Sequence, residues 1–174
     1  MRGLVLFNGK YGATDQYASW IGNRLHVPTV EAGPLSSILL QDYEYLVIGS
    51  SVYMGKLVLA DWLKKYASLL KNHKLFIFIV CATPSTDKTG QDQIIRENIP
   101  ESLLNKSSIF FLPGRLDLKA LNWSDKFAIK VVRWFEKDPE KRKVLINGID
   151  AVKEENISGF IGEIEKFSFS DKLR

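Results

Sequence analysis

Leu4-Val5-Leu6-Phe7-Asn8-Gly9-Lys10-Tyr11-Gly12-Ala13-Thr14 is the stretch from which the rest of the chain can be read. Its four consecutive apolar residues suit a strand buried on both faces of a parallel sheet. Behind them, Gly9 and Gly12 allow backbone geometry closed to residues with a Cβ, so amides can turn inward around an anion. Thr14 then either caps the following helix or offers its hydroxyl to a phosphate, and the helix N-terminus adds partial positive charge. An ordinary tight turn with a capping threonine has the same residues. The turn lacks the Gly-Lys-Ser/Thr ending of a Walker loop and the Gly-x-Gly-x-x-Gly of a dinucleotide fingerprint.

Working outward, apolar runs recur at 45–48, 75–81 (LFIFIVC) and 109–112. A weaker run at 27–30, interrupted by Pro28, suits an edge strand. Between them lie helical periods. Tyr17, Ala18, Ile21 and Leu25 form one stripe, and Leu59, Trp62, Leu63, Tyr66, Leu69 and Leu70 a second. Ile94 and Ile95 begin a helix that Pro100 must break or kink. Ile157, Phe160, Ile161, Ile164 and Phe167 mark a terminal helix, and 34–40 should be a short, poorly patterned one. Five strands alternating with helices predict an α/β fold, a doubly wound five-stranded parallel sheet. Residues 1–174 read as a single domain. Residues 115–155 are a helical insertion before the last helix, roughly 40 residues where a connection of roughly 2–6 is usual.

A chain of 174 residues, 45% hydrophobic and 25% charged, can bury a real core without metals or disulfides. Its single cysteine, Cys81, cannot form an internal disulfide, which fits a reducing compartment. The apolar N-terminal run is too short for a signal peptide or a membrane span, so the expected location is the cytoplasm. The net charge of +4 serves solubility, or else an anionic substrate, an acidic partner or an anionic membrane surface. His26 and His73 lack ligand spacing and support no metal site. No nucleophilic elbow is present, and no recognition motif points to nucleic acid.

In open α/β sheets ligands bind outside the carboxyl ends of the strands, where the strand order reverses. Three loops are candidates. The first is Asn8, Gly9, Lys10, Tyr11, Gly12, Ala13 and Thr14. The second, Ser50, Ser51, Val52, Tyr53, Met54 and Gly55, offers hydroxyls, an aromatic to stack on a planar ring, and backbone groups around a glycine for its polar edge. The third follows Cys81 and offers Ala82, Thr83, Pro84 and Ser85. Cys81 itself reads as core filling rather than a reactive thiol.

FNGKYGAT after the first strand, IGSSVYMGK after the third, and the strand order resemble flavodoxins. That resemblance implies FMN as cofactor, with the three loops holding the phosphate, one flavin face and the other flavin edge. Residues 12–14, residues 51–55 and the aromatic, basic stretch 112–134 are more closely similar to menaquinone-dependent protoporphyrinogen oxidases and related flavodoxin-domain proteins. Flavodoxin phosphate loops carry hydroxyls where this chain has Asn8 and Gly9; Asn8 can still donate, and Lys10 adds charge. The resemblance implies an FMN-dependent oxidoreductase that passes electrons from an organic substrate, such as a porphyrinogen, to a quinone or another acceptor. It names no catalytic residue. The alternative is a non-enzymatic electron shuttle between redox proteins. A receiver-type signalling domain would need acidic residues where the first and third strands end in Asn8 and Ser50.

On a helix, residues 123–137 place Lys126, Lys130, Arg133 and Lys137 in one wedge beside Trp123, Phe127 and Trp134. A cationic ridge with an aromatic edge suits a porphyrin with carboxylates, a protein groove, or an anionic bilayer at the inner face of the membrane. The ordinary alternative is that the tryptophans pack on the domain and the ridge is solvated. Because the insertion lies outside the three loops, its ridge is expected to serve a partner and matter little for FMN.

Overall fold

Parity sorts the apolar runs onto two faces. In the run beginning at Leu75, the aliphatic Leu75, Ile77 and Ile79 point one way, and Phe76, Phe78 and Val80 the other. The same division separates Leu4 and Leu6 from Val5, and Leu46 and Ile48 from Tyr45 and Val47. A strand apolar on both sides must be covered on both sides, so helices flank the sheet on each face.

The computed structural model describes residues 2–81, 87–135 and 137–172. The elements in chain order are β1 (Gly3–Asn8), α1 (Ala13–Leu25), β2 (Thr29–Glu31), α2 (Ser37–Leu40), β3 (Tyr45–Tyr53) and β4 (Lys56–Leu57). There follow α3 (Ala60–Leu70), β5 (Lys74–Cys81), α4 (Lys88–Asn98), α5 (Glu101–Leu104), β6 (Ser107–Pro113) and β7 (Arg115–Leu116). The chain continues through α6 (Trp123–Phe135), α7 (Pro139–Asn147), β8 (Ile149–Asp150), a 3-10 turn (Glu154–Ile157) and α8 (Ser158–Lys172).

Five parallel strands lie in the order β2-β1-β3-β5-β6. On one face, Leu63 and Leu70 of α3 and Ile94 of α4 pack on the aliphatic side. On the other, Tyr17, Ala18 and Ile21 of α1 meet Phe160 and Ile164 of α8 over the aromatic side. Phe76 and Phe78 each meet Phe160 edge to face. Gly49 makes that packing possible, since a Cβ there would lie 2.1 Å from the Phe78 ring.

One sequence expectation changes in the structure. The stretch 50–53 is not a loop: β3 runs on to Tyr53 and folds back antiparallel onto β4, pairing Tyr53 with Lys56 and Val52 with Leu57. Met54 and Gly55 alone make the turn, both at positive φ (50° and 79°), as a two-residue hairpin turn requires. The stretch 34–40 carries the short helix expected of it, a single turn at Ser37–Leu40. The third candidate loop, with Ala82, Thr83, Pro84 and Ser85, lies outside the described residues.

The insertion is partly helical, as expected, but its ends pair as a small ladder. β7 and β8 are antiparallel, and Arg115 Nε donates to Asp150 Oδ2 at 2.8 Å. Among the described residues no helix is long and apolar enough to cross a membrane.

Asn98, at the end of α4, holds the hairpin. Its Oδ1 accepts from the Leu57 amide at 2.9 Å, and its Nδ2 donates to the Gly55 and Ile94 carbonyls at 3.1 and 2.9 Å. The side chain is buried, so its loss strands a buried amide. Asn98→Ala is expected to lower stability by about 1–3 kcal/mol, read as a reduced urea midpoint at unchanged m-value. A midpoint equal to the parent's would mean that the hairpin holds itself.

Candidate functional site

Strand order reverses between β1 and β3, and an apolar cavity of about 260 Å³ opens at their carboxyl ends. Its walls come from Lys10, Tyr11, Ala13 and Thr14 after β1, from Ser51, Val52, Tyr53 and Met54 at the end of β3, and from Val80 and Cys81 at the end of β5. Gly114, Arg115 and Leu116 close the β6 side, and α6 forms the remaining wall with Asp125, Ile129 and Val132. Small-molecule sites usually measure roughly 300–1,000 Å³, so this slot lies just below that range.

The first candidate loop is shaped around Thr14. A Cβ on Gly9 would lie 2.6 Å from both Cβ and Oγ1 of Thr14, so only glycine allows this approach. Gly12 takes φ 78° as N-cap of α1 and supplies no side-chain cap, which leaves the first-turn amides of the helix without one. Thr14 is buried, and its Oγ1 has no hydrogen-bond partner among the described residues. Ser51 Oγ, near the end of β3, is likewise without a partner among the described residues. A buried hydroxyl left unpaired costs on the order of 1–3 kcal/mol, so two of them lining one cavity are what a ligand with polar groups would relieve.

Not all candidates line the cavity. Ser50 is committed to the fold: its Oγ accepts from the Leu59 amide at 3.1 Å and donates to the Ser51 carbonyl at 3.3 Å. Asn8, Gly9, Gly12 and Gly55 shape the two turns without forming a wall. Cys81 is buried at the cavity edge.

Asp125, which the sequence reading did not single out, sits at the centre of the site. It is only 3% exposed although it lies in the insertion. Its carboxylate accepts hydrogen bonds from the hydroxyls of Tyr11 and Tyr53 and pairs with Lys10 Nζ at 2.8 Å. The ammonium also stands 3.3 Å from the centre of the Tyr53 ring, a cation–π contact. Burial works against the charge on Lys10, but hydrogen bonds to Asp125 and Tyr53 outweigh it and hold the pKa above the ordinary lysine value. Asn122 Oδ1 accepts from the Asp125 amide at 2.8 Å, which caps the start of α6.

The insertion is therefore remote from the loops in sequence and in contact with them in space. This corrects the expectation that it stands apart from the cofactor loops. The one available signal was a lone carboxylate, Asp125, in register with Ile129 and Val132 on the apolar stripe of α6. The expectation that the helix packs its tryptophans on the domain also fails. Its inward face is Asp125, Ile129 and Val132, while Trp123, Phe127 and Trp134 are exposed.

Chemically, the arrangement offers an apolar slot for a planar group, two free hydroxyls, a helix N-terminus and a charged lysine for an anionic end. The model of the flavodoxin domain family matches residues 4–143, and the chain belongs to that family. A comparison with curated protein sequences finds no match. Among solved structures, the chain is similar to a flavodoxin from the domain Archaea, at 16% identity over 65% of this chain and 83% of that one, TM-score 0.45. It is similar to oxidised flavodoxin 2 from Bacillus cereus at 19% identity, over 65% and 86%, TM-score 0.45. It is also similar to the flavodiiron protein from Giardia intestinalis, at 15% identity over 63% of this chain but only 30% of that one, TM-score 0.42. Membership of the family makes the fold flavodoxin-like and assigns FMN to the chain as cofactor.

Removing the Asp125 carboxylate leaves two tyrosine hydroxyls and Lys10 without their shared partner and releases α6 from both loops. Asp125→Ala is expected to cost roughly 3–5 kcal/mol, the range for breaking a buried pair. Hydrogen exchange should accelerate across α6 while β3 and β5 stay protected. Unchanged protection of α6 would mean that its apolar stripe alone holds it.

Proposed function

We propose that this flavodoxin-domain protein is an FMN-dependent oxidoreductase, resembling protoporphyrinogen oxidases, that takes electrons from a reduced organic substrate and passes them to a quinone or another acceptor. The FMN phosphate is assigned to the turn of Asn8, Gly9, Lys10, Tyr11, Gly12, Ala13 and Thr14. The flavin ring is assigned to the slot beside Ser51, Val52, Tyr53, Met54 and Gly55, with Ala82, Thr83, Pro84 and Ser85 as the far edge.

The observation that carries this reading is the pair of buried hydroxyls without partners among the described residues, Thr14 and Ser51, both lining an apolar cavity beside the uncapped start of α1. FMN supplies reversible uptake of electrons when bound, and the remaining work belongs to the chain. Thr14 Oγ and the first-turn amides of α1 donate to an anion, and the helix dipole favours negative charge there. Lys10, kept protonated by its neighbours, lines the same slot with its ammonium paired to Asp125. Val52, Val80, Leu121 and Ile129 give the rest of the slot an apolar lining. Asp125 holds Tyr11 and Tyr53 in place from the insertion side, and thereby sets the width of the slot.

The wall built by α6 favours an enzyme over a shuttle. A shuttle exchanges electrons with a protein surface through an open ring edge, whereas here an added helix narrows the approach to a slot suited to a small organic molecule.

Titration with FMN and with riboflavin, followed by flavin fluorescence, tests the assignment. Thr14→Ala is expected to weaken FMN by about 1 kcal/mol, roughly fivefold, while riboflavin changes little. Equal affinity of the parent protein for the two flavins would sink the phosphate assignment. The activity is tested separately by oxidation of a porphyrinogen with a quinone acceptor, read as the appearance of porphyrin fluorescence. Loss of that turnover in FMN-loaded protein that still exchanges electrons with a redox protein would favour the shuttle.

A further inference from the structure

From the outward face of α6, we infer that this helix is a membrane-docking element that lies on an anionic lipid surface. Trp123 and Trp134 are 84% and 85% exposed, and Phe127 between them is 66% exposed. At 100° per residue, Trp123, Phe127, Lys130 and Trp134 fall within an arc of about 60°, opposite the stripe that lines the cavity. Large aromatics normally find cover in a folded chain, so two fully presented indoles on one ridge mark an interaction surface.

Charge identifies what covers it. Residues 118–147 hold eight Lys/Arg against four Asp/Glu, so this stretch accounts for the whole net +4 of the chain. One of the four acids, Asp125, is buried against Lys10 on the inner side. Lys126, Lys130 and Lys137 are exposed beside the aromatic ridge; the side chain of Arg133 lies outside the described residues. A second copy of the chain would bring one basic ridge against another. A bilayer with acidic headgroups needs no preformed groove, accepts a convex ridge, and receives indoles at the headgroup level, where their apolar body and polar N–H are both satisfied. The cavity lies behind the same helix, about one helix diameter (10–12 Å) from that surface. The docking does not depend on the proposed redox activity, because vesicle binding requires no flavin.

The test uses the full chain, with and without FMN, sedimented with vesicles of phosphatidylcholine alone or mixed with phosphatidylglycerol. Binding is expected on the anionic vesicles only, with tryptophan emission shifted to the blue and quenched by brominated lipid. The combined Lys126→Gln, Lys130→Gln and Lys137→Gln variant should bind roughly 100-fold more weakly, at about fivefold per charge near the surface. Raising the salt should weaken the parent in the same way. Trp123→Ser with Trp134→Ser should abolish the quenching. These side chains are exposed, and unchanged thermal unfolding would show that the variants fold. Absence of binding to anionic vesicles at low salt overturns the inference, as does equal binding to neutral vesicles. Concentration-dependent dimers that the two serine changes dissolve, or capture by an acidic protein with no affinity for lipid, would assign the ridge to a protein instead.

Discussion

Seven consecutive apolar residues in β5 can turn neither face to water, and the architecture follows from that constraint. Both sides of the sheet must be covered, so the chain crosses over with helices and brings each strand back parallel. Parallel return places every strand's carboxyl end along one edge. That is why the segments after β1, β3, β5 and β6, far apart in sequence, border one cavity. The two faces are not interchangeable. The aliphatic side takes α3 and α4, the aromatic side takes α1 and α8, and Gly49 yields the space that Phe78 occupies.

Within that frame, a single buried carboxylate connects the insertion to the site. A charge buried as deeply as that of Asp125 must be paired and hydrogen-bonded. Lys10, Tyr11 and Tyr53 meet that need, two partners from the turn at Gly12 and one from the hairpin. The same contacts fix the distance between the two loops. Helix α6 thus has two unlike faces: an inner one tied to the slot by polar and apolar contacts, and an outer one left to water with its aromatics uncovered. In a member of the flavodoxin domain family, this gives the added segment a place in the wall of the cavity as well as at the surface.

Much of this was written locally in the chain. Runs such as LVLF and LFIFIVC specified strands buried on both sides, Gly9, Gly12 and Thr14 specified the turn, and the helical period of residues 123–135 specified an aromatic ridge beside a basic one. Each is a property of neighbours within a few residues, where backbone sterics and periodicity decide. Three matters were settled only by the assembled structure. Tyr11 and Asp125 meet although 114 positions apart in sequence, and Asn98 meets the hairpin at Gly55 at a separation of 43. The continuation of β3 to Tyr53 depends on β4 returning to pair with it. Which side of α6 faces the domain depends on turning Ile129 and Val132 to the cavity together with a buried carboxylate whose partners stand on other elements. Local pattern therefore determined the strands, the turn and the two-sided helix. Tertiary structure alone decided which distant groups satisfy one another, because pairing a buried polar group is a demand on whatever the fold brings alongside it.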